Sequence, residues 1–594
     1  MLVLLPGPVN PHYDSRGRQS KLWVNTMALF EAIPYRIRIG VTGHRKLENP
    51  AALQALVKKA IQTEVEKLFP KRSKESIDQV RTAGTTAISY RVLSPLAEGA
   101  DRVVARAVLD YPDTCLDAVL PLTLEDYLED FKTEESRKEF KELLDRCRKP
   151  VFLRTRHIRD DRQNPVAQAE LRRDAYAEVG RYVVDHCDVL IAVWNGEPAN
   201  GHGGTAEIVQ YAKEQRRPIL LVWGDKFEVL NPGDSNNGLD ATALDAIDRF
   251  NRQSITPEQR ANYVKNLDDE HFEKPRNAAS IPASTRKLVS DGLFPYYAQA
   301  SIVAKQSQRR FYRAGRSTYV LSAAAVGFAA LGVLFPALAL AGFGVELVLL
   351  AVLLLYLWEA RRQHSHQYWI ENRFLAERIR CGIFMAICGV EPRPIEVLPY
   401  MGHSQTVNDW TVRVFQEIWD RLPRLHRCGE AECAILNEYI REAWVEDQVN
   451  FHKRKTKKEG RARKRLEGIG AVVLPITIAA AALHILFSVW WPTAAGMEPM
   501  HWFHKGLQQG LAFIALLFPA IAASLAGMEA HREYLRLEKR SANMGPQLER
   551  LNWQLKSATD PERFESLLQQ VDEIMLRETQ DWLMLMRYVE IKAS

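Results

Sequence analysis

Charge is missing from three long stretches of this 594-residue chain, and disulfide or metal-ligand patterning is missing from all of it. Residues 319–358 hold a single carboxylate, Glu346, and no lysine, arginine or histidine. Residues 469–491 carry only His484, and residues 507–528 carry no ionisable side chain. About 20 helical residues span the ~30 Å hydrocarbon core of a bilayer, and buried core helices rarely stay apolar on every face for so long. These gaps therefore exclude a wholly soluble chain. They predict four crossings, at about 318–337, 341–358, 469–491 and 507–528.

The seven cysteines (Cys115, Cys147, Cys187, Cys381, Cys388, Cys428, Cys433) form no CxxC pair and no metal-like His/Cys cluster. That excludes a disulfide framework and fits reduced thiols. His364 and His366 have no thiol nearby and read as a solvated helix face rather than a metal site. The opening "MLVLLPGPVN" lacks a basic start and meets prolines at once, so no secretory signal is expected and the first half should stay cytosolic. The formal charge is +6, but "HKRKTKKEGRARKR" (452–465) alone holds nine Lys/Arg. No aromatic residues interleave with them, so stacking on nucleic-acid bases has no support. The run reads as a positive-inside flank facing anionic lipid.

Flanking charge sets the topology. Lys305, Arg309, Arg310, Arg313 and Arg316 precede the first crossing. Arg361 and Arg362 follow the second, and Arg532, Arg536, Lys539 and Arg540 follow the fourth. The connections on the other side are nearly bare, which predicts two hairpins with both termini in the cytosol. The first hairpin turns either at Pro336, with Glu346 well inside the second crossing, or at Gly342–Gly344, with Glu346 at the outer interface. Small residues (Gly510, Ala512, Ala515, Ala520, Ala522, Ala523, Gly527) crowd the fourth crossing and suit close packing. The hairpins also look like copies of one unit, each left by a charged helix that starts "EAxR" at Glu359 and Glu529. A rival match, "LFPA" at Leu334 and Leu517, would impose a different register.

The first half reads as strands alternating with helices: "RIRIGVTG", "AISYRVL", "LDAVLPL", "PVFLRT", "DVLIAVWNG" and "PILLVWG", each a largely apolar run. That pattern predicts an α/β domain with a parallel sheet over 35–226, after an extension at 1–34. A polar connector at 227–300 follows, and then an all-α membrane domain at 301–594 with four transmembrane helices and long cytosolic helices. Parallel sheets bind ligands beyond the carboxyl ends of their strands. Three strand ends carry the candidate residues. The first offers Gly40, Thr42, Gly43, His44 and Arg45, and the second Glu98, Gly99, Asp101 and Arg102. The third offers Asn195 and Gly196, then Gly203, Gly204, Thr205 and Glu207 of "GHGGTAE". Glycines let backbone approach a phosphate, and N–H groups at a helix start donate to it. Arg45 and Arg102 suit phosphate oxygens, while Asp101 or Glu98 suits ribose hydroxyls. The alternatives are an Asp101 helix cap and a surface ion pair at Arg45.

"IGVTGHRKL", "SPLAEGAD", "HCDVLIAVWNG" and "GGTAEIVQYA" together resemble the SLOG group of Rossmann-like domains. That group includes cytokinin-activating phosphoribohydrolases, the DNA-processing protein family and sensor domains for nucleotide derivatives. From about residue 301, "NRFLAERIR", "WVEDQVNFHKRK" and "VDEIMLRETQDWLMLM" resemble the SLATT type of membrane domain. The resemblance implies a bacterial inner-membrane antiphage effector that binds a nucleotide second messenger, a cyclic oligonucleotide or an ADP-ribose/NAD derivative. It would act as a homo-oligomeric pore, without tightly bound cofactor and without nucleic acid. One departure bears on chemistry. The phosphoribohydrolase loop is Pro-Gly-Gly-x-Gly-Thr-x-x-Glu, whereas Glu207 here stands two residues after Thr205 rather than three. One helical residue turns a side chain by about 100°. Binding without turnover is therefore expected over an N-glycosidase, and His44 is left as either contact or catalyst.

Overall fold

The computed structural model of the chain describes residues 30–65, 86–147, 150–154, 165–198, 203–230, 241–253, 255–362, 364–392, 410–423, 425, 429–490, 498–558 and 560–587. They form two compact units between which the chain passes repeatedly. One comprises Glu31–Ser254 and Ile395–Arg424, the other Met1–Phe30, Ile255–Pro394 and Leu425–Ser594.

The first unit is an α/β domain. Strands β1 (Tyr35–Gly43), β2 (Ile88–Ser94), β3 (Cys115–Leu120), β4 (Val151–Phe152), β5 (Val189–Val193), β6 (Ile219–Trp223) and β7 (Lys226–Leu230) form one sheet. Its order is β4–β3–β2–β1–β5–β6–β7. All neighbours run parallel except β6 and β7. The apolar strand runs are buried on both sides, as a sheet covered by helices requires. Helices α1 (Pro50–Ala60), α2 (Ala100–Leu109), α3 (Leu124–Leu128), α4 (Glu134–Asp145), α5 (Pro165–His186), α6 (Thr205–Glu214) and α7 (Ala241–Asn251) complete the unit in sequence. Gly40 shows how closely α5 lies on β1, since a Cβ there would come within 2.8 Å of Val183 Cγ1. Gly43, three residues on and thus on the other face, would meet the Ala100 Cβ of α2 at 2.5 Å. β7 lies, apart from Lys226, within the region read from sequence as a connector; Phe227, Val229 and Leu230 are half-buried while Lys226 and Glu228 are exposed.

A helix from far along the chain, Trp410–Asp420, belongs to this unit, whereas the sequence assigned 301–594 wholly to the membrane domain. Trp410, Val414, Ile418 and, on the same stripe, Arg413 and Glu417 recur at helical spacing and are all buried. Its charges meet those of the sheet. Glu417 accepts from Arg36 Nε at 2.6 Å and Arg91 Nη2 at 2.8 Å. Arg91 also pairs with Asp420 and Asp117, at 2.7 and 3.0 Å. Arg413 Nη2 reaches Asp188 Oδ1 at 2.6 Å, and Arg38 Nη2 reaches the same atom at 2.9 Å. Four arginines thus face four carboxylates. Burial alone would push the Asp188 carboxyl up, but Arg38 and Arg413 outweigh it and hold the group well below the usual carboxylate range.

The second unit is all helical: α8 (Pro257–Asp268), α9 (Ala283–Gly292), α10 (Phe294–Leu334), α11 (Ala339–Arg362) and α12 (Ser365–Ile387). With α13 naming the Trp410–Asp420 helix, the unit continues as α14 (Glu430–Ile440), α15 (Asp447–Trp490), α16 (Glu498–Arg532), α17 (Tyr534–Lys556) and α18 (Pro561–Arg587). Four of these, α10, α11, α15 and α16, are long and apolar enough to cross a membrane. Phe335 leaves the helical conformation and Pro336–Leu338 forms a single 3-10 turn, so the first hairpin turns at Pro336. Gly342–Gly344 lie inside α11, and so does Glu346. Among the described residues, Cys115, Cys147, Cys187, Cys381, Cys388 and Cys433 are free thiols.

The two hairpins are built alike. In each, a long helix (α10, α15) turns into a second apolar helix (α11, α16). A left-handed residue then ends it, His364 at φ 45° and Glu533 at φ 53°. The charged helix beyond (α12, α17) folds back along the long one. "EAxR" occupies equivalent places just before both breaks, while "LFPA" forms the turn in one hairpin and lies mid-helix in the other. The "EAxR" register is the structural one.

Removing Asp188 leaves two buried guanidiniums without their shared partner. Asp188→Ala should cost about 3–5 kcal/mol, the range for breaking a buried pair from one side. Arg413→Met, which leaves the Arg38–Asp188 pair intact, should cost less. Hydrogen exchange of the β1 and β5 amides in the full-length chain measures both, and equal losses would contradict the assignment.

Candidate functional site

In the strand order, β1 lies between β2, which follows it, and β5, which opens the other half of the sheet. Chain connections leave β1 and β5 toward opposite edges, opening a crevice beyond their carboxyl ends. The turn after β1 is held in place by backbone. His44 N–H donates to the Val193 carbonyl at 3.1 Å, and Ala100 N–H donates to the His44 carbonyl at 3.0 Å. Gly99, at φ 83°, allows that approach, since a Cβ there would lie 2.3 Å from the Arg45 carbonyl oxygen. The loops after β1, β2 and β5 therefore meet.

His44 and Asn195 close the crevice from either side. His44 Nε2 stands 3.2 Å from Asn195 Oδ1 and 3.4 Å from the Asn195 backbone nitrogen. One ring nitrogen cannot serve both: protonated it donates to Oδ1, and unprotonated it accepts the N–H. Asn195 Oδ1 also takes the Glu197 N–H at 3.1 Å, so the amide is fixed with its oxygen toward the histidine. Gly196 follows at φ 86°, with open space where a Cβ would lie. Trp223, at the end of β6, sets its ring edge-on to His44 at a centroid distance of 5.2 Å and is 45% exposed. Arg45, exposed, lies over Tyr176 of α5 at 5.2 Å.

Other candidates are engaged elsewhere. Arg102 is buried with Nε on the Leu96 carbonyl, Nη1 on Ser136 and Glu139, and its plane over Phe131. Glu98 accepts from the Ser136 hydroxyl on the same side. Asp101 caps its own loop, Oδ2 taking the Ala97 N–H at 3.2 Å. Burial pushes its carboxyl up to about 7 against the pull of that N–H, Arg45 and Arg102. Glu207 turns back onto its loop, accepting the Gly203 N–H at 2.7 Å and Arg181 at 3.2 Å. Gly203, at φ 79°, packs against the α5 backbone, Gly204 is the N-cap of α6 and Thr205 its first residue. Thr42, next to last in β1, pairs beside Ala192, and Gly40 serves helix packing. Gly201 and His202 of the same loop lie outside the described residues.

Trp223 was hidden from sequence reasoning inside an apolar strand run; its place at the carboxyl end of a parallel strand is the one cue that marks it. No protein-family model matches the chain, and neither a curated protein nor a solved structure matches it. A functional reading therefore stands on the site itself.

Asp101 supplies a pH test of this loop geometry. A carboxyl whose folded value lies near 7, above its ordinary 3.8, binds its proton more tightly in the folded state. Its contribution is complete below pH ~4 and is lost as pH rises through 7. Asp101→Asn keeps an acceptor for the Ala97 N–H and should flatten that dependence. Exchange of the Ala97 amide between pH 4 and 8, with back-correction for intrinsic rates, reads it.

Proposed function

We propose that the chain is a membrane effector that senses a nucleotide derivative. The cytosolic α/β domain, a Rossmann-like fold of the SLOG kind, would bind the messenger at the β1/β5 crevice. Binding would gate or assemble a pore through the apolar helices in a bacterial inner membrane, as part of antiphage defence. The observation that carries this reading is the His44–Asn195 bridge at the strand-order reversal, with an exposed Trp223 beside it. Backbone N–H groups, a polar amide and an exposed indole suit phosphate, ribose and base respectively. The four apolar helices support the membrane part. The N-glycosidase alternative has less support, because Glu207 is committed to Gly203 and Arg181.

Full-length protein in dye-loaded liposomes tests the reading, with NAD, ADP-ribose and cyclic dinucleotides as probes. One of these should trigger release. Trp223→Ala should weaken the response about tenfold, the scale of one lost stacking contact of ~1.4 kcal/mol. Release that is the same with and without every probe would overturn gating, and turnover of a probe abolished by His44→Ala would favour the enzyme.

A further inference from the structure

The basic run on α15 does not all face outward. Lys453, Arg454, Lys457 and Lys458 are exposed, but His452 is buried and Lys455 half-buried. Their electrostatic neighbours are Arg373 of α12, Arg540 of α17 and Glu578 of α18. Cations outnumber carboxylates in this part of the bundle. On α12, Arg378 is matched by Asp572 at 2.9 Å and Arg380 by Glu377 at 2.7 Å. On α17, Arg540 is matched by Glu578 at 2.7 Å. Each carboxylate is thus bonded to one arginine. Arg373 and Lys455 have no bonded counter-ion among the described residues, and Glu459, one turn beyond Lys455, forms no ion pair with it.

Arg373 is 1% exposed, lies over the Trp582 ring at 3.9 Å, and leaves Nε and Nη1 sealed without a hydrogen-bond acceptor. His452, equally buried, leaves both ring nitrogens without a partner. A buried donor left unpaired costs its full desolvation, and a charged one costs most. Burial pulls the Arg373 guanidinium down to about 9, which Glu377 and Glu578 only partly offset. Burial also pulls the Lys455 ammonium down to about 7, with Arg373 adding repulsion. An anion placed among these groups relieves both penalties.

Distance from the membrane selects the kind of anion. Lys455 precedes residue 469, the start of the third apolar stretch, by 14 residues, about 21 Å along the unbroken helix. A headgroup layer is ~5–8 Å deep, and a helix tilt of ~40° still leaves ~16 Å. Lipid headgroups therefore stop short of the cluster, whereas a soluble anion reaches it past the half-buried Lys455. Two unmatched cations suit the two charges of a phosphate, and a guanidinium fork with an ammonium suits its oxygens.

We propose that Arg373 and Lys455, with His452 and beside the Arg540–Glu578 pair, bind a soluble phosphate group between α12 and α15. The occupied site ties the charged helix that leaves the first repeat to the long helix that opens the second. The inference uses the membrane reading only for the source of the phosphate, and it does not involve the β1/β5 crevice.

Full-length protein in detergent, dialysed against radiolabelled inorganic phosphate, tests it. Saturable binding is expected, weakened about tenfold or more by Arg373→Met and by Lys455→Met, the scale of one lost charge-assisted hydrogen bond. Saturable binding that both variants retain, or none at all, would overturn the site. Thermal unfolding separates a ligand site from a structural ion pair. In phosphate-free buffer Lys455→Met should unfold at a higher temperature than the wild type, because an unmatched cation is gone. Phosphate, unlike chloride at equal ionic strength, should raise the midpoint of the wild type alone. A Lys455→Met chain destabilised equally with and without phosphate would contradict the proposal. Nanodiscs divide the sources: phosphate binding that is the same in phosphatidylcholine and phosphatidylglycerol discs supports a soluble ligand, and competition by phosphatidylglycerol would overturn it. No nucleotide enters these measurements, so their failure leaves the sensor reading standing.

Discussion

The Asp188 carboxylate is the point on which the α/β domain depends. It stands immediately before β5, takes the Arg38 backbone N–H and guanidinium from β1, and takes Arg413 from α13. Those bonds fix β1 and β5 side by side at their amino ends. Six residues beyond Arg38 along β1, about 20 Å at strand rise, the same pairing delivers His44 opposite Asn195. The sheet therefore has a structural end, ionic and closed, and a chemical end, open and held by backbone. A buried ionic network of this kind is a weak source of net stability, since desolvation offsets most of the Coulomb gain. Its effect is selectivity: a slip of α13 by one turn would leave Glu417 and Arg413 without partners, while an apolar helix would tolerate it.

In the helical unit the governing constraint is different. Backbone groups within a bilayer must be satisfied inside the segment, which leaves helices as the way to cross. Helices run through the apolar stretches on both sides of each hairpin turn, and the left-handed residues His364 and Glu533 lie beyond those stretches. Left-handed backbone at a non-glycine residue costs about 1 kcal/mol or more and persists only where its surroundings enforce it. Two such breaks at matching places follow from one architecture used twice. Gly315 and Gly527 then allow His531 and Tyr319 to fill the seam between the copies.

Much of this was legible in the residues, and the failures have physical causes. Largely apolar runs alternating with helical stretches gave away β1, β2, β3, β5 and β6, because strands covered on both faces keep few polar residues. Uncharged length marked the four apolar helices for the same reason. Strand order was not legible, since it lies in pairings between residues far apart, such as Gly40 with Leu190. α13 escaped because its arginine and glutamate look like a solvated face until Arg36, Arg91 and Asp188 are placed against them. In the site, the glycines read as phosphate contacts lie where loops approach one another, Gly43 against Ala100 and Gly99 against Arg45. Arg102 and Glu207 were unreadable, because a long side chain on a loop has several reachable partners and the sequence does not rank them. Trp223 shows the converse: an aromatic residue in an apolar run reads as core unless the strand's end is known.

The path of the chain constrains how binding at one unit is able to influence the other. α13 belongs to the α/β domain, yet in sequence it lies between α12, the last helix of the first repeat, and α14, which leads into the second. Two sites are coupled only through an element with two arrangements whose balance both sites bias. α13 adjoins both parts by connectivity: it holds the sheet through Asp188 and Glu417, and in sequence it lies between helices of the two repeats. A ligand bridging His44 and Asn195 would act on β1 and β5, the strands that Asp188 joins. It would change the hold on α13 only by altering their register or strain. Contacts confined to the loops would bind without signalling, so the proposed sensor function requires a ligand that interacts differently with two arrangements of β1 and β5 rather than one that merely fills the crevice.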